Sequence, residues 1–161
     1  QLANGLAQNI KEFFPETELV AGTATAGIPH AAWVSDILEL PMVYVRSKAK
    51  EHGRGNQIEG KYTAGQKVVV VEDIVSTGGS SITAVEALRA AGCEVVGVVC
   101  VYTYNLPKAE QAFHAAGVKY VSLTNFDYLV EAANESGTIS QDQIPFLKEW
   151  HADLKAGNLQ K

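Results

Sequence analysis

A run of four valines that ends in two adjacent acids is the feature that most constrains this chain. The stretch VVVVEDIVSTGGSS at 68–81 is continuously apolar at first, then passes to Glu72 and Asp73, and then to hydroxyls and glycines. Valines without polar alternation predict a strand that is buried on both faces, as in a parallel sheet covered by helices. We therefore expect such a sheet, with both acids placed directly after one of its strands.

Strand-like and helix-like segments alternate along the rest of the chain. Strands are predicted at 19–21, 41–45, 67–71, 95–101 and 119–123. Helices are predicted at 28–38, 80–91, 108–116, 126–134 and 141–154. This order predicts a single-domain α/β fold in which a parallel sheet carries helices on both faces. Ligands of such sheets bind outside the carboxyl ends of the strands, which is where the two acids are expected.

Composition argues against several classes of protein. The 161 residues are 47% hydrophobic and 19% charged, which suffices for one full core. The net charge of −5 argues against a general nucleic-acid or membrane-surface binder. The sequence has no apolar run near the roughly 18 residues that span a bilayer, and its start lacks a signal pattern. We expect a cytoplasmic protein with neither nucleic acid nor membrane as partner, and Cys93 and Cys100 as small buried hydrophobes.

A hydroxyl-rich turn follows the acids and feeds directly into the next predicted helix. The N–H groups at a helix start have no internal partner and favour an anion by roughly 0.3–1 kcal/mol from the dipole alone. Glycines allow a phosphate to approach the backbone closely, and hydroxyls add donors. The turn lacks the lysine of a Walker loop, which disfavours nucleoside triphosphate hydrolysis. The predicted phosphate-binding residues are Ser76, Thr77, Gly78, Gly79 and Ser80.

Two carboxylates beside a phosphate site restrict the ligand. They would repel a bare phosphate, but they accept hydrogen bonds from a diol and attract Mg²⁺. Glu72 and Asp73 therefore predict a phosphorylated sugar whose hydroxyls face the acids. The alternative is an acidic turn that only caps the following helix.

The segment 46–65 is the one long connection in this pattern. Loops above about 12–15 residues are uncommon in compact domains and are usually functional or disordered. Residues 46–54 carry a net charge of +3 with His52 neutral, which is a local positive arm on an acidic protein. The alternative is a solvated surface loop without a role.

Three stretches carry a family resemblance. The segment at 68–81 resembles the phosphoribosyl pyrophosphate (PRPP) motif of type I phosphoribosyltransferases. YVRSKAKEHGRGNQIEG at 44–60 resembles the mobile catalytic loop of orotate phosphoribosyltransferases, and GTATAGIPHAA at 22–32 resembles the first sheet-edge loop of that family. The three matches occur in family order and cover 22–101, about half of the chain.

The resemblance implies a type I phosphoribosyltransferase (Rossmann-like) fold and a reaction. Ribose 5-phosphate would pass from PRPP to orotate, giving orotidine 5′-monophosphate and pyrophosphate in de novo pyrimidine biosynthesis. Glu72 and Asp73 would lie at the ribose hydroxyls, and residues 76–80 would hold the 5′-phosphate. Mg²⁺ is the implied cofactor, held mainly by PRPP, with Asp73 as the candidate protein ligand.

The resemblance also implies a homodimer in which the 46–60 loop of one subunit completes the site of its partner. Arg46, Lys50 and His52 would contact the pyrophosphate there, and with Asp73 they form the predicted catalytic set. Tyr104 falls where some members carry an arginine against orotate, so Ser76 and Tyr104 are the candidate contacts to the base.

Some positions depart from the family pattern. Ser47 stands where a second basic residue is common, and Ala26 stands where some members have lysine. Members usually carry an N-terminal helix and strand region that helps form a hood over the base, whereas this chain reaches its first core strand by Leu19. We therefore expect one phosphoribosyltransferase domain over 1–161, with a mobile loop at about 46–65 and an incomplete hood.

Two other functions stay open on the sequence. One is a phosphoribosyltransferase for a different base, which would share the PRPP motif without the RSKAKEHG loop. The other is a non-catalytic regulator that keeps the fold, senses PRPP and binds nucleic acid through a basic face. His151 is expected in a surface or packing role.

Overall fold

The computed structural model describes residues 1–48 and 56–158. The helices are α1 (Leu2–Phe13), α2 (Gly27–Leu38), α3 (Gly79–Ala90), α4 (Pro107–Ala115), α5 (Phe126–Glu135) and α6 (Ile144–Ala156). The strands are β1 (Leu19–Thr23), β2 (Met42–Val45), β3 (Ile58–Glu59), β4 (Lys67–Val75), β5 (Glu94–Thr103) and β6 (Tyr120–Asn125). A short 3-10 helix, Gln141–Gln143, precedes α6.

The strands form one sheet in the order β3-β2-β1-β4-β5-β6. Neighbouring strands from β2 to β6 are parallel, which confirms the predicted α/β fold. The edge strand β3 is antiparallel to β2 and lies inside the segment predicted as one long loop. That prediction was wrong at 58–59, because Ile58 pairs with Val45 and buries its side chain at the sheet edge.

The valine run divides between two cores. Val68 and Val70 lie in the core under α3 and α4, and Val69 and Val71 lie in the core under α1 and α2. Successive residues of a strand point to opposite faces, so a strand covered on both sides needs apolar residues at every position. The continuous run thus reflects two helical layers.

Strand β4 is longer than the sequence predicted. It continues through both acids to Val75, so the expectation that Glu72 and Asp73 follow the strand was wrong. The ladder to β5 persists there, with Glu72 opposite Cys100 and Val75 opposite Thr103. Because these backbone hydrogen bonds are retained, both acids belong to the paired end of β4. The strand backbone therefore sets the directions of their side chains.

Helix α1 was not predicted, although its pattern is helical. Leu6, Ile10 and Phe14 recur at four-residue spacing, which places them on one helix face, and all three are buried in the core with α2. The Phe14 ring lies against Gly97 of β5. The segment has the periodicity of an amphipathic helix, and this signal could have found it.

Two expectations from composition can be compared with the fold. Cys93 and Cys100 are free thiols with buried side chains, as predicted. Burial raises the pKa of the Cys100 thiol to about 12, so it stays protonated. Across the described ranges, none of the helices combines the length and apolarity needed to cross a membrane.

Candidate active site

The carboxyl ends of β1 and β4 form a crevice at the centre of the sheet. The chain leaves β1 for α2 on one face and leaves β4 for α3 on the other, so the strand order reverses between them. Ligands of open α/β sheets bind at such a reversal. A cavity of about 180 Å³ opens at this edge. Its lining residues are Thr23, Ala24, Val45, Arg46, Ser47, Ser80, Thr83 and Ala84.

The predicted phosphate-binding residues, 76–80, form the phosphate loop between β4 and α3. Gly78 adopts a left-handed conformation with φ of 81°, which glycine accepts without strain. A Cβ on Gly79 would lie 4.0 Å from Thr77 Oγ1, which is an ordinary contact, and the Ser76 and Ser80 side chains are exposed. No side chain of the described residues caps α3 at Gly78. The first N–H groups of α3 can therefore bind an anion together with the hydroxyls.

Glu72 is enclosed by three hydrogen bonds within the protein. Its Oε1 accepts from the Thr23 hydroxyl at 2.5 Å and from the Asp73 backbone N–H at 3.2 Å. Its Oε2 accepts from the Ser81 hydroxyl at 3.2 Å. Only 4% of the residue is exposed. This burial raises the pKa of Glu72 from 4.5 to about 7, and the neighbouring Asp73 carboxyl adds to the effect.

The two acids therefore differ in surroundings. Asp73 is half-buried, whereas both carboxylate oxygens of Glu72 already bond to protein groups. Asp73 is thus the acid with surface left for a ligand. The contact of both acids with ribose hydroxyls stays a prediction.

The loop that follows β1, residues 24–26, approaches the same crevice and is called the first loop. It contains a cis peptide bond between Ala24 and Thr25, and the Ala24 N–H donates to Val45 O at 2.9 Å. A Cβ on Gly27 would lie 2.2 Å from the Thr23 hydroxyl oxygen and 2.6 Å from Val71 O. Only glycine lets α2 begin this close to the strands, and this contact fixes where the first loop lies.

Arg46 is anchored at the wall of the cavity. Its backbone N–H donates to Gln57 O at 2.9 Å, and its carbonyl accepts from Gln57 Nε2 at 2.9 Å. Its guanidinium lies 3.7 Å from Glu59 Oε1. An ion pair with this exposure contributes little to stability, so the cation can turn to an anionic ligand. Lys50 and His52, the other predicted basic contacts, lie outside the described residues.

Tyr104 is held beside the phosphate loop by both of its backbone groups. Its N–H donates to Val75 O at 3.1 Å, and its carbonyl lies 2.7 Å from His151 Nε2. Since a carbonyl only accepts, Nε2 is the protonated nitrogen. The His151 ring stacks on the Phe126 ring with 3.9 Å between ring centroids. The Tyr104 ring meets the Tyr102 ring edge-on with 4.9 Å between centroids. The candidate base contact is therefore positioned by α6.

Sequence reasoning missed the groups that support this site. Thr23 and Ser81 bond to Glu72, and His151 bonds to Tyr104. Each partner is distant in sequence or on another element, so residue type and spacing carried no signal for these bonds. Thr23 lies in the stretch 22–32, which the sequence analysis singled out only for its resemblance to the first sheet-edge loop of the family.

Comparison with known proteins decides the family. The profile of the phosphoribosyl transferase domain matches residues 1–130. Orotate phosphoribosyltransferase from Listeria monocytogenes serotype 4b is 60% identical over 149 residues, which cover 92% of this chain and 71% of that protein. The chain belongs to the orotate phosphoribosyltransferase family. The orotate phosphoribosyltransferase of Bacillus subtilis is 58% identical over 149 residues, covering 92% of this chain and 69% of that protein.

Solved structures agree with the family assignment. The orotate phosphoribosyltransferase from Aeropyrum pernix superposes with a TM-score of 0.73 at 30% identity, covering 83% of this chain and 74% of that chain. The resemblance seen in the three loops is thereby confirmed at the level of the fold and the family. This chain spans about 70% of the length of its Listeria and Bacillus relatives.

Proposed function

We propose that this chain transfers the ribose 5-phosphate unit of PRPP to orotate, giving orotidine 5′-monophosphate and pyrophosphate in pyrimidine biosynthesis. The observation that carries the proposal is the 60% identity to an orotate phosphoribosyltransferase over 92% of the chain. The phosphoribosyl transferase domain alone would leave the base open, whereas this relative is an orotate phosphoribosyltransferase aligned over 149 residues of the chain.

The geometry of the crevice supports a ligand with two anionic ends. The phosphate loop lies at the N-terminus of α3, and the cavity beside it is walled by Arg46 and the first loop. Asp73 lies in β4 just before the phosphate loop, where it is suited to accept hydrogen bonds from ribose hydroxyls. PRPP carries a 5′-phosphate, a diol and a pyrophosphate in this order.

Catalysis by such a site is electrostatic. When the bond between ribose and pyrophosphate breaks, its electron pair leaves with pyrophosphate, and positive charge develops on the ribose. A unit charge pair roughly 4 Å apart is worth about 1 kcal/mol in water and about 4 kcal/mol at an effective dielectric of 20. Arg46, with Lys50 and His52 of the arm, would stabilise the leaving group, and closure of the arm would strengthen each contact by excluding water.

The carboxylate available at this site suits a Mg²⁺ ion that is bound mainly by the substrate. Within residues 1–48 and 56–158, no group of three or more His, Cys, Asp or Glu could hold a metal ion. Mg²⁺ commonly takes one or two carboxylates and completes its shell with substrate phosphates and water. Asp73 is the carboxylate that would hold it, and the ion would neutralise charge on the pyrophosphate.

A homodimer and a cytoplasmic location complete the proposal. The basic arm begins at Arg46, at the rim of the cavity, where an arm from a second subunit could also approach. The two buried free thiols are suited to a reducing compartment, in which disulfides are rare.

The first test is PRPP- and Mg²⁺-dependent consumption of orotate, with pyrophosphate release read in the same sample. Uracil, adenine and hypoxanthine serve as comparison bases. We expect turnover with orotate and none with the three comparison bases. We expect Asp73→Asn to lower the turnover of orotate at least roughly 100-fold, as for the loss of a group that stabilises transition-state charge. Asp36→Asn is the matched control, because Asp36 is an exposed acid on α2.

Two results would contradict the proposal. Turnover with another base would keep the enzyme class and replace the substrate. PRPP binding without turnover of any base would favour the non-catalytic regulator, and nucleic-acid binding that weakens steeply with salt would then identify it.

A further inference from the structure

Three buried polar side chains from three elements meet at the base of the crevice. Thr23 ends β1, Glu72 lies in β4, and Ser81 lies in the first turn of α3. Their exposed fractions are 3%, 4% and 1%. The Glu72 carboxylate accepts from both hydroxyls, one on each oxygen, so the three residues form one connected cluster.

The cluster connects the residue before the first loop to the residue after the phosphate loop, and these two loops would bind the two ends of the ligand. Thr23 directly precedes the first loop, and Ser81 directly follows the phosphate loop. The Thr23 hydroxyl also lies 3.3 Å from Val71 O, so it is fixed against β4 by the backbone as well. Loss of the Ser81 hydroxyl would leave Oε2 without the hydrogen bond it accepts, and loss of the Thr23 hydroxyl would leave Oε1 with only the Asp73 N–H. Losing a hydrogen bond at a buried carboxylate is costly.

We infer that Thr23 and Ser81 are positioning residues that fix, through Glu72, the separation of the first loop and the phosphate loop. This separation sets the affinity for a ligand that has an anion at each end. The role of Glu72 is then mainly internal, and Asp73 is left as the acid that faces the ligand. The inference rests on the proposed function for the identity of that ligand as PRPP.

A ligand with two anionic ends should depend on the separation, whereas a single anion should not. In catalysis, a misplacement of about 1 Å can cost roughly 100-fold in rate. A ligand that must engage two loops together should lose affinity for the same reason, because both contacts depend on one geometry. Inorganic phosphate occupies one loop at a time, so its affinity should change little. This contrast separates a positioning role from a general loss of folded protein.

The test is calorimetric binding of PRPP with Mg²⁺ and without a base, compared with binding of inorganic phosphate to the same variants. We expect Thr23→Val and Ser81→Ala each to weaken PRPP binding by roughly 10-fold or more, with phosphate binding within about 2-fold of the unaltered chain. Thr23→Ser keeps the hydroxyl and should recover most of the affinity. The double variant should lose less than the product of the single losses, because both act through Glu72.

Thr103→Val is the matched control, since Thr103 is a buried threonine that ends β5 and its hydroxyl accepts from Asn105 N–H instead of bonding to Glu72. Thermal unfolding confirms that each variant is folded at the binding temperature. Equal losses for PRPP and phosphate, no recovery in Thr23→Ser, or the same loss in Thr103→Val would each overturn the inference.

The two proposals fail in different ways. PRPP binding that follows the predicted pattern without orotate turnover would leave the inference standing and refute the proposed function. Absence of PRPP binding by the unaltered chain would refute both.

Discussion

Glu72 and Asp73 are neighbours in sequence but occupy different environments. Glu72 is 4% exposed and bonds to Thr23 and Ser81, while Asp73 stays half-buried. An acidic pair read from sequence as one functional unit is therefore two carboxyl groups in different environments.

The raised pKa of Glu72 predicts a pH dependence of stability. Between pH 4.5 and about 7, the native state keeps a proton on Glu72 that the unfolded chain has released. The free energy of unfolding should therefore fall as pH rises through this window, by roughly 3 kcal/mol in total at 1.36 kcal/mol per pK unit. This contribution is fully present below pH 4.5 and is lost once the pH passes 7.

Urea unfolding between pH 4.5 and 7.5 measures this effect. Glu72→Gln keeps a polar group at the position without a titrating proton, so its unfolding free energy should change less over the same range. Glu131→Gln is the control, because Glu131 is an exposed acid on α5. An identical pH dependence in Glu72→Gln and the unaltered chain would refute the prediction.

At the scale of elements, the end of α1 packs closely against β5 of the sheet. Gly97 of β5 faces the Phe14 ring, and a Cβ there would lie 2.2 Å from two of its ring atoms. Phe14 and Gly97 are both buried. The glycine therefore sets how closely the end of α1 approaches the strands.

Gly97→Ala should lower the free energy of unfolding by about 1–3 kcal/mol, the usual range for overpacking a core. Phe14→Leu removes the ring and should be destabilising alone, but it should relieve the clash in the double variant. Chemical denaturation of the two single variants and the double variant measures this coupling. Additive losses would show that Gly97 and Phe14 do not interact in the folded state.

At the scale of the whole molecule, the sheet brings candidate site residues together from distant parts of the chain. Thr23, Arg46, Asp73 and Tyr104 lie at the carboxyl ends of four strands, with β1 and β4 at the centre. In the proposed dimer, the arm that contains Lys50 would add residues of one subunit to the site of the other. One site would then need residues from both chains.

Mixing two inactive variants tests this arrangement. Lys50→Ala impairs the arm, and Asp73→Asn impairs the site that receives it. If the arm acts on the partner, each mixed dimer holds one intact site, and random exchange should restore about one quarter of the unaltered activity. Turnover measured before and after subunit exchange gives the answer. Absence of recovery, with exchange verified by differently tagged subunits, would place the arm and the site in the same chain.

The sequence alone determined the layered fold and the place of the site. The valine run predicted a sheet covered on both faces, which the structure confirms. The glycines and hydroxyls of 76–80 predicted an anion site at the start of a helix; the structure places them there, and anion binding stays a prediction. Periodicity and composition encode which face a residue presents, so these features could be predicted. The same periodicity marked α1, although that helix was missed.

Only the tertiary structure decided which groups support the site. Thr23 meets Glu72 from 49 residues away, and His151 meets Tyr104 from 47 residues away. The extent of β4 through the acids likewise depends on its ladder with β5. Hydrogen bonds between elements depend on which strands and helices become neighbours, and a local pattern encodes the face of an element but not its partner.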